Sequence, residues 1–100
     1  MSVYWIGVYD IADEAGYQRY LEGALPNLQK HNVEILVADP TARCKEGSPR
    51  QMAVVLRFES EDHAMAWYND PEYQPLLKLR LESTTNQTAL LAQEFRLPEG

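Results

Sequence analysis

Arg80 is the only charge on an apolar helical stripe made of Tyr73, Leu76, Leu77 and Leu81. A guanidinium placed there can clamp a carboxylate in bidentate geometry. The structural alternative is a snorkelling side chain, or an ion pair with an acid such as Asp10 or Glu72. His31 falls where a helical pattern runs out. A cationic ring suits the negative end of a helix there, and a neutral one can act as a general base or a ligand. Asp10 closes the first apolar run and is a candidate acid or base if it sits at a pocket mouth, the alternative being a turn capped by its own carboxylate. Asp10 and His31 are the individual candidates for a catalytic role, and no catalytic residue is assigned. His63 follows Glu61 and Asp62 in a charged turn and reads as solvated. Two histidines without HxH or HxxxH spacing predict no zinc site. Cys44 lies between Arg43 and Lys45, with no nearby His or elbow motif to make it a catalytic thiol.

The aromatic set Trp5, Tyr9, Tyr17, Tyr20, Trp67, Tyr68 and Tyr73 either fills a core or lines a pocket between sheet and helices. From it, Tyr20, Trp67, Tyr68 and Tyr73 join Arg80 as the predicted ligand-binding residues. The chain contains no Walker loop, GxGxxG, GxSxG, CxxC or HExxH. No cofactor is predicted on that ground.

These residues need elements to position them. Val3 to Tyr9 carries apolar side chains on both alternating sets, the pattern of a strand covered on both faces. Asp13 is a suitable N-cap for a helix whose stripe is Tyr17, Tyr20, Leu21, Ala24, Leu25 and Leu28. Pro26 should kink or end that helix. Val33 to Ala38 and Met52 to Phe58 read as strands around a loop from Asp39 to Arg50. A hairpin symmetric about the loop pairs Glu34 with Arg57, Leu36 with Val55 and Ala38 with Ala53. Its other face pairs Val33 with Phe58, Ile35 with Leu56 and Val37 with Val54. Ser60 caps a short helix with Ala64, Trp67 and Tyr68 on its buried side, and Asp70-Pro71 looks like the cap of a second segment. Thr88 to Phe95 closes the chain as a strand, before the polar tail Pro98-Glu99-Gly100.

The order β, α, β, β, split α, β is a ferredoxin-like α+β arrangement: a four-stranded antiparallel sheet with its helices on one face. Right-handed crossovers put both helical connections on the same side. The other face, carrying Leu36, Val55 and half of the first strand, then needs a second subunit.

One hundred residues, 45% hydrophobic and 24% charged, predict one domain over residues 1 to 100 and exclude a disordered or collagen-like chain. Fifteen acids against nine bases give a net charge of −6, the wrong sign for a phosphate backbone. No nucleic-acid partner is expected. No stretch approaches the length of a membrane span, and Met1 to Tyr9 lacks the basic leader of an export signal. With one cysteine and no possible internal disulfide, a soluble cytoplasmic protein is expected.

The string Ala66-Trp67-Tyr68-Asn69-Asp70-Pro71-Glu72-Tyr73, followed by Leu77 and Leu79-Arg80, resembles the DUF1330 family of the dimeric α+β barrel superfamily. The resemblance extends through the first strand, Tyr17 to Tyr20, His31 and Arg57-Phe58-Glu59-Ser60. The family favours a glycine pair after the helix-ending His, where this chain has Asn32 and Val33, and Glu where Arg57 stands. The resemblance implies a homodimer packed through the sheet face and names no activity. The expected function is binding of a small organic molecule, anionic or aromatic, between sheet and helices. The alternative is a cofactor-independent monooxygenase, isomerase or lyase on the same fold, a fold-level analogy.

Overall fold

Strands Val3–Ile11 (β1), Glu34–Asp39 (β2), Met52–Phe58 (β3) and Thr84–Gln93 (β4) form one antiparallel sheet in the order β2-β3-β1-β4. Helices Glu14–Lys30 (α1), Glu61–Tyr68 (α2) and Gln74–Ser83 (α3) complete the predicted element order. The computed structural model describes residues 1–98, so Glu99 and Gly100 of the polar tail lie outside the described residues.

β1 organises the molecule because it is central and its side chains alternate. Val3 and Tyr9 are buried on the helix side, where Trp5 packs edge-on against Trp67 and Tyr9 against Tyr17. Tyr4, Ile6 and Val8 take the other side by the two-residue period. The core therefore lies on one face only, between β1, β3 and the helices, with Phe58, Trp67 and Tyr73 among its most deeply buried side chains.

α1 starts as expected, with the Asp13 carboxylate accepting the Gly16 N–H at 3.1 Å. It does not stop at Pro26. That residue lies on the exposed side of the helix, where the carbonyl it leaves unpaired meets water, while Ala24, Asn27 and Leu28 stay buried against the rest of the fold. The helix ends in a Schellman motif: Val33 N–H bonds Leu28 O and Asn32 N–H bonds Gln29 O, both at 3.0 Å. Asn32 adopts φ 57°, the left-handed conformation that glycine takes freely.

β1 runs on to Ile11 and β2 spans Glu34–Asp39, each displaced by one or two residues from expectation, and larger differences follow. In the β2–β3 pair Glu34 faces Arg57 and Ile35 faces Leu56, but a bulge at Leu36 then shifts the register. Val37 faces Val55, Ala38 faces Val54 and Asp39 faces Ala53, replacing the predicted Leu36–Val55, Val37–Val54 and Ala38–Ala53 pairs. β2 is an edge strand joined by a long loop, so no tight turn dictates its pairing. β4 begins at Thr84, directly after α3, and ends at Gln93 rather than running from Thr88 to Phe95. It carries a second irregularity between the Val8–Thr88 and Asp10–Thr85 pairs, with Asn86 at φ 55°. Finally, Asp70 caps a turn and not α3 itself. Its Oδ1 accepts Glu72 N–H at 2.9 Å, its carbonyl accepts Tyr73 N–H at 2.8 Å, and helix α3 starts at Gln74 with Pro75 in its first turn.

Among the described residues no helix covers the sheet's second face. Ile6 is 36% exposed and its cross-strand neighbour Leu90 57% exposed, with Val37 also open to solvent. Among the described residues no helix is long and apolar enough to cross a membrane.

Candidate functional site

The end of α3 is fixed to the start of α1. Ala12 and Asp13 N–H both bond Ser83 O, at 2.9 and 3.0 Å, while the Thr84 hydroxyl donates to Arg80 O at 2.6 Å. Gly23 lies against Leu76 with no room for a β-carbon, so α1 and α3 approach closely along their length. This packing drives Arg80 inward until it is only 6% exposed.

Buried there, its guanidinium has no counter-charge. Among the described residues no carboxylate lies within salt-bridge distance of it, no hydrogen bond leaves it, and its Nε is wholly buried without a partner. The expected ion pairs are absent because both acids are engaged elsewhere: Glu72 with Lys30 at 3.0 Å, and Asp10 with Gln51 and Asn86. The last turn of α3 offers structural compensation, its carbonyls carrying a partial negative charge of roughly half an elementary unit.

The Arg80 charge reaches four phenols, Tyr9, Tyr17, Tyr20 and Tyr73, and pulls the pKa of each downward. They form two buried hydroxyl pairs, Tyr9 with Tyr17 at 2.6 Å and Tyr20 with Tyr73 at 2.9 Å. Burial raises the pKa of each, pushing Tyr20 up to about 12 against the opposing pull of Arg80. All four stay neutral near pH 7, so no tyrosinate balances the guanidinium. Each pair consumes one hydroxyl proton internally and retains one O–H free to donate.

Beside the tyrosines runs a cleft between α1 and the β2–β3 side of the sheet. Its inner end, about 60 Å³, is walled by Tyr9, Tyr17 and Tyr20 with Leu28, Val54 and Leu56. Its outer part, about 480 Å³, opens to solvent between Leu21, Leu25, Ala38 and Pro40, with Glu14, Gln18 and Gln51 at the rim. Tyr17, Leu21, Leu25, Ala38 and Met52 line both spaces, which makes them one passage.

The other candidates do not line this cleft. Trp67 and Tyr68 are one step removed: Trp67 stacks on Tyr73 with ring centroids 4.5 Å apart and continues into Trp5 and Phe58. Asp10 ties β1 to its neighbours, accepting Gln51 N–H at 2.9 Å and the Asn86 amide at 3.0 Å, bonds that lower its pKa. His31 bonds Asp70 Oδ2 at 2.7 Å, eleven residues beyond Tyr20 and about 16 Å along the helix axis. His63 is not the solvated residue expected. Its Nδ1 accepts Glu59 N–H at 3.1 Å, which leaves the proton on Nε2 to donate to His31 O at 2.5 Å. Among the described residues no three His, Cys, Asp or Glu side chains converge on a metal position. The Tyr9–Tyr17 pair was outside the predicted ligand set. Its sequence signal was Tyr9 on the helix-facing set of β1 just ahead of the α1 cap, but only the packing of β1 on α1 brings the hydroxyls together.

Solved structures with this fold include a protein of unknown function from Rhodopseudomonas palustris, 9% identical, covering 96% of this chain and 84% of its own, with a TM-score of 0.82. A dimeric ferredoxin-like protein of unknown function from Jannaschia sp. CCS1 is 16% identical over 94% and 100% of the two chains, TM-score 0.71. Another from Thermobifida fusca YX is 16% identical over 93% and 92%, TM-score 0.59. At these identities the likeness is one of fold: a four-stranded antiparallel sheet covered on one face by helices. No curated protein matches the chain. Residues 2–94 match the domain of unknown function DUF1330, and the chain belongs to that family.

Proposed function

We propose that this chain binds a small organic anion at Arg80, between sheet and helices, and does so as a homodimer paired through the bare sheet face. One observation carries the reading: Arg80 is 6% exposed as a residue, its guanidinium Nε is buried without a hydrogen-bond partner, and it has no counter-charge among the described residues. A buried charge without a partner costs several kcal/mol. Stability alone gives no reason to keep it, whereas an incoming anion recovers that cost on binding. The two spare phenolic O–H groups supply the neutral donors such an anion needs. The dimer draws support from the proteins of Jannaschia and Thermobifida fusca, which are described as dimeric. A cytoplasmic location fits the single exposed cysteine.

The enzyme alternative needs a base within reach of the bound molecule. The four phenols stay neutral, and His31 is engaged with Asp70 at the far end of α1. Binding is the simpler reading of the same groups.

The test is Arg80→Met, which keeps length and apolar volume. Without ligand the variant should be more stable than wild type by about 1 kcal/mol or more, roughly 4–8 °C in Tm. Thermal melts with acetate, benzoate and phosphate should then stabilise wild type and leave the variant unmoved. A less stable variant, together with a wild type indifferent to every anion, would make Arg80 a structural residue and end the proposal.

A further inference from the structure

We infer that the cleft between α1 and the β2–β3 side of the sheet takes a small uncharged molecule, whose carbonyl oxygen enters the inner end and whose apolar body fills the outer part. The inference goes beyond the anion reading and is independent of it, because Arg80 lines neither space of the cleft.

A proton count places the carbonyl. Tyr9 and Tyr17 both line the inner end, and their hydroxyls share one hydrogen bond at 2.6 Å. Two hydroxyls bring two protons and that bond uses one, so one O–H remains to be donated whichever tyrosine carries it. Neither hydroxyl makes a second hydrogen bond among the described residues, although Tyr9 is only 3% and Tyr17 only 5% exposed. A buried donor without an acceptor is costly and rare in folded proteins. The wall's side chains offer little to relieve it: around the inner end they hold no oxygen or nitrogen beyond the phenols of Tyr9, Tyr17 and Tyr20. An acceptor on a ligand recovers that cost. A carbonyl accepts without bringing a proton that the wall must then satisfy.

Charge and size define the rest of the molecule. No Lys, Arg or His lines either space and Glu14 stands at the rim, so a carboxylate or phosphate would enter without a partner and past a like charge. The inner end, about 60 Å³, equals the space of roughly two waters, enough for a carbonyl and the atoms beside it. The body then passes Tyr17 and Met52 into the outer part, whose volume of about 480 Å³ is in the range of small-molecule pockets. Leu21, Leu25, Ala38 and Pro40 give that body apolar walls.

Calorimetric titration of the full chain with acetophenone, ethylbenzene and benzoate tests this, since ethylbenzene lacks the carbonyl and benzoate adds the charge. Wild type should bind acetophenone. Tyr9→Phe combined with Tyr17→Phe removes the unspent donor together with the hydroxyl that partners it, so the fold should survive, and the ratio of acetophenone to ethylbenzene affinity should fall about tenfold or more. Ala38→Trp, at an exposed position on the cleft wall, should abolish binding of both uncharged probes. Arg80→Met should lose benzoate and keep acetophenone at wild-type affinity. An unchanged ratio in the double variant overturns the carbonyl assignment. Binding of acetophenone that survives Ala38→Trp, or that is lost with Arg80, overturns its assignment to the cleft. A wild type that binds benzoate and neither uncharged probe ends this inference and leaves the anion site standing, whereas acetophenone bound without any anion does the reverse.

Discussion

Asp70 collects more partners than any other side chain near the helix junction. His31 Nε2 lies 2.7 Å away, Lys30 Nζ 3.2 Å, the Asn27 amide 3.3 Å and Glu72 N–H 2.9 Å. Together, with the His31 bond the largest, they hold its carboxyl well below the ordinary carboxylate range. A folded pKa beneath the unfolded one gives stability that is present above the unfolded value of about 4 and lost as pH falls through the folded one. Melting temperatures measured between pH 2 and pH 7 should therefore fall on acidification, and Asp70→Asn should lower the neutral Tm while flattening that fall. An unchanged acid limb in the variant would remove Asp70 from the stability of the junction. The tyrosines act at the opposite end of the scale. Their raised folded values give stability that is full below the unfolded pKa near 10 and lost as pH climbs beyond it, so Tm should decline from about pH 10 upward. Spectroscopic titration of the phenols should find buried tyrosines that ionise only as the fold is lost. Arg80, Tyr20 and Tyr73 were legible in the sequence because a lone charge on an apolar stripe is a local pattern. That Arg80 lacks a partner was not, since it depends on Glu72 and Asp10 being engaged by Lys30, Gln51 and Asn86 from other elements.

Element order followed from periodicity because the first strand, the long first helix and the third strand each bury a wide apolar face that local sequence displays. The misplaced features are those that local sequence underdetermines. Leu36 is as apolar as its neighbours, so nothing in the pattern marks it as the bulged residue. Thr84 to Gln87 is polar and falls outside the strand expected from Thr88, yet Thr84 and Thr85 pair with Ile11 and Asp10 because α3 delivers them directly beside β1. His63 finds its acceptor thirty-two residues away, at the carbonyl that ends α1. The same helix end offers a sharper prediction. Asn32 holds φ 57° in a Schellman motif that favours glycine. Asn32→Gly should raise stability by about 0.5 kcal/mol, roughly 2–4 °C in Tm, and Asn32→Ala should lower it by about 1 kcal/mol. If glycine and alanine shift the melt equally, the backbone conformation at residue 32 is not what sets the cost.

At the scale of the whole molecule the chain is a thin slab. Its Cα extents are 51 × 36 × 16 Å and its radius of gyration is 14.3 Å, against about 13 Å for a compact chain of this length. Two layers account for that shape: helices on one side, and among the described residues no element on the other to cover Ile6, Val37 and Leu90. A second copy laid on that face would thicken the slab into a four-layer body and remove the apolar patch from water. Leu90→Asp tests this cleanly because Leu90 is 57% exposed within one chain, so the aspartate costs the isolated fold little and the pair a great deal. Sedimentation at micromolar concentration should give wild type twice the 11.5 kDa of a single chain and the variant one chain mass, with unchanged far-ultraviolet circular dichroism. A wild type that already sediments as one chain sinks the dimer. The variant also separates assembly from binding. Arg80, the four tyrosines and the cleft all come from one chain, on the side of the sheet away from Leu90. A monomeric Leu90→Asp protein should therefore bind carboxylates as wild type does, and a loss of affinity on dissociation would mean that the partner completes the site.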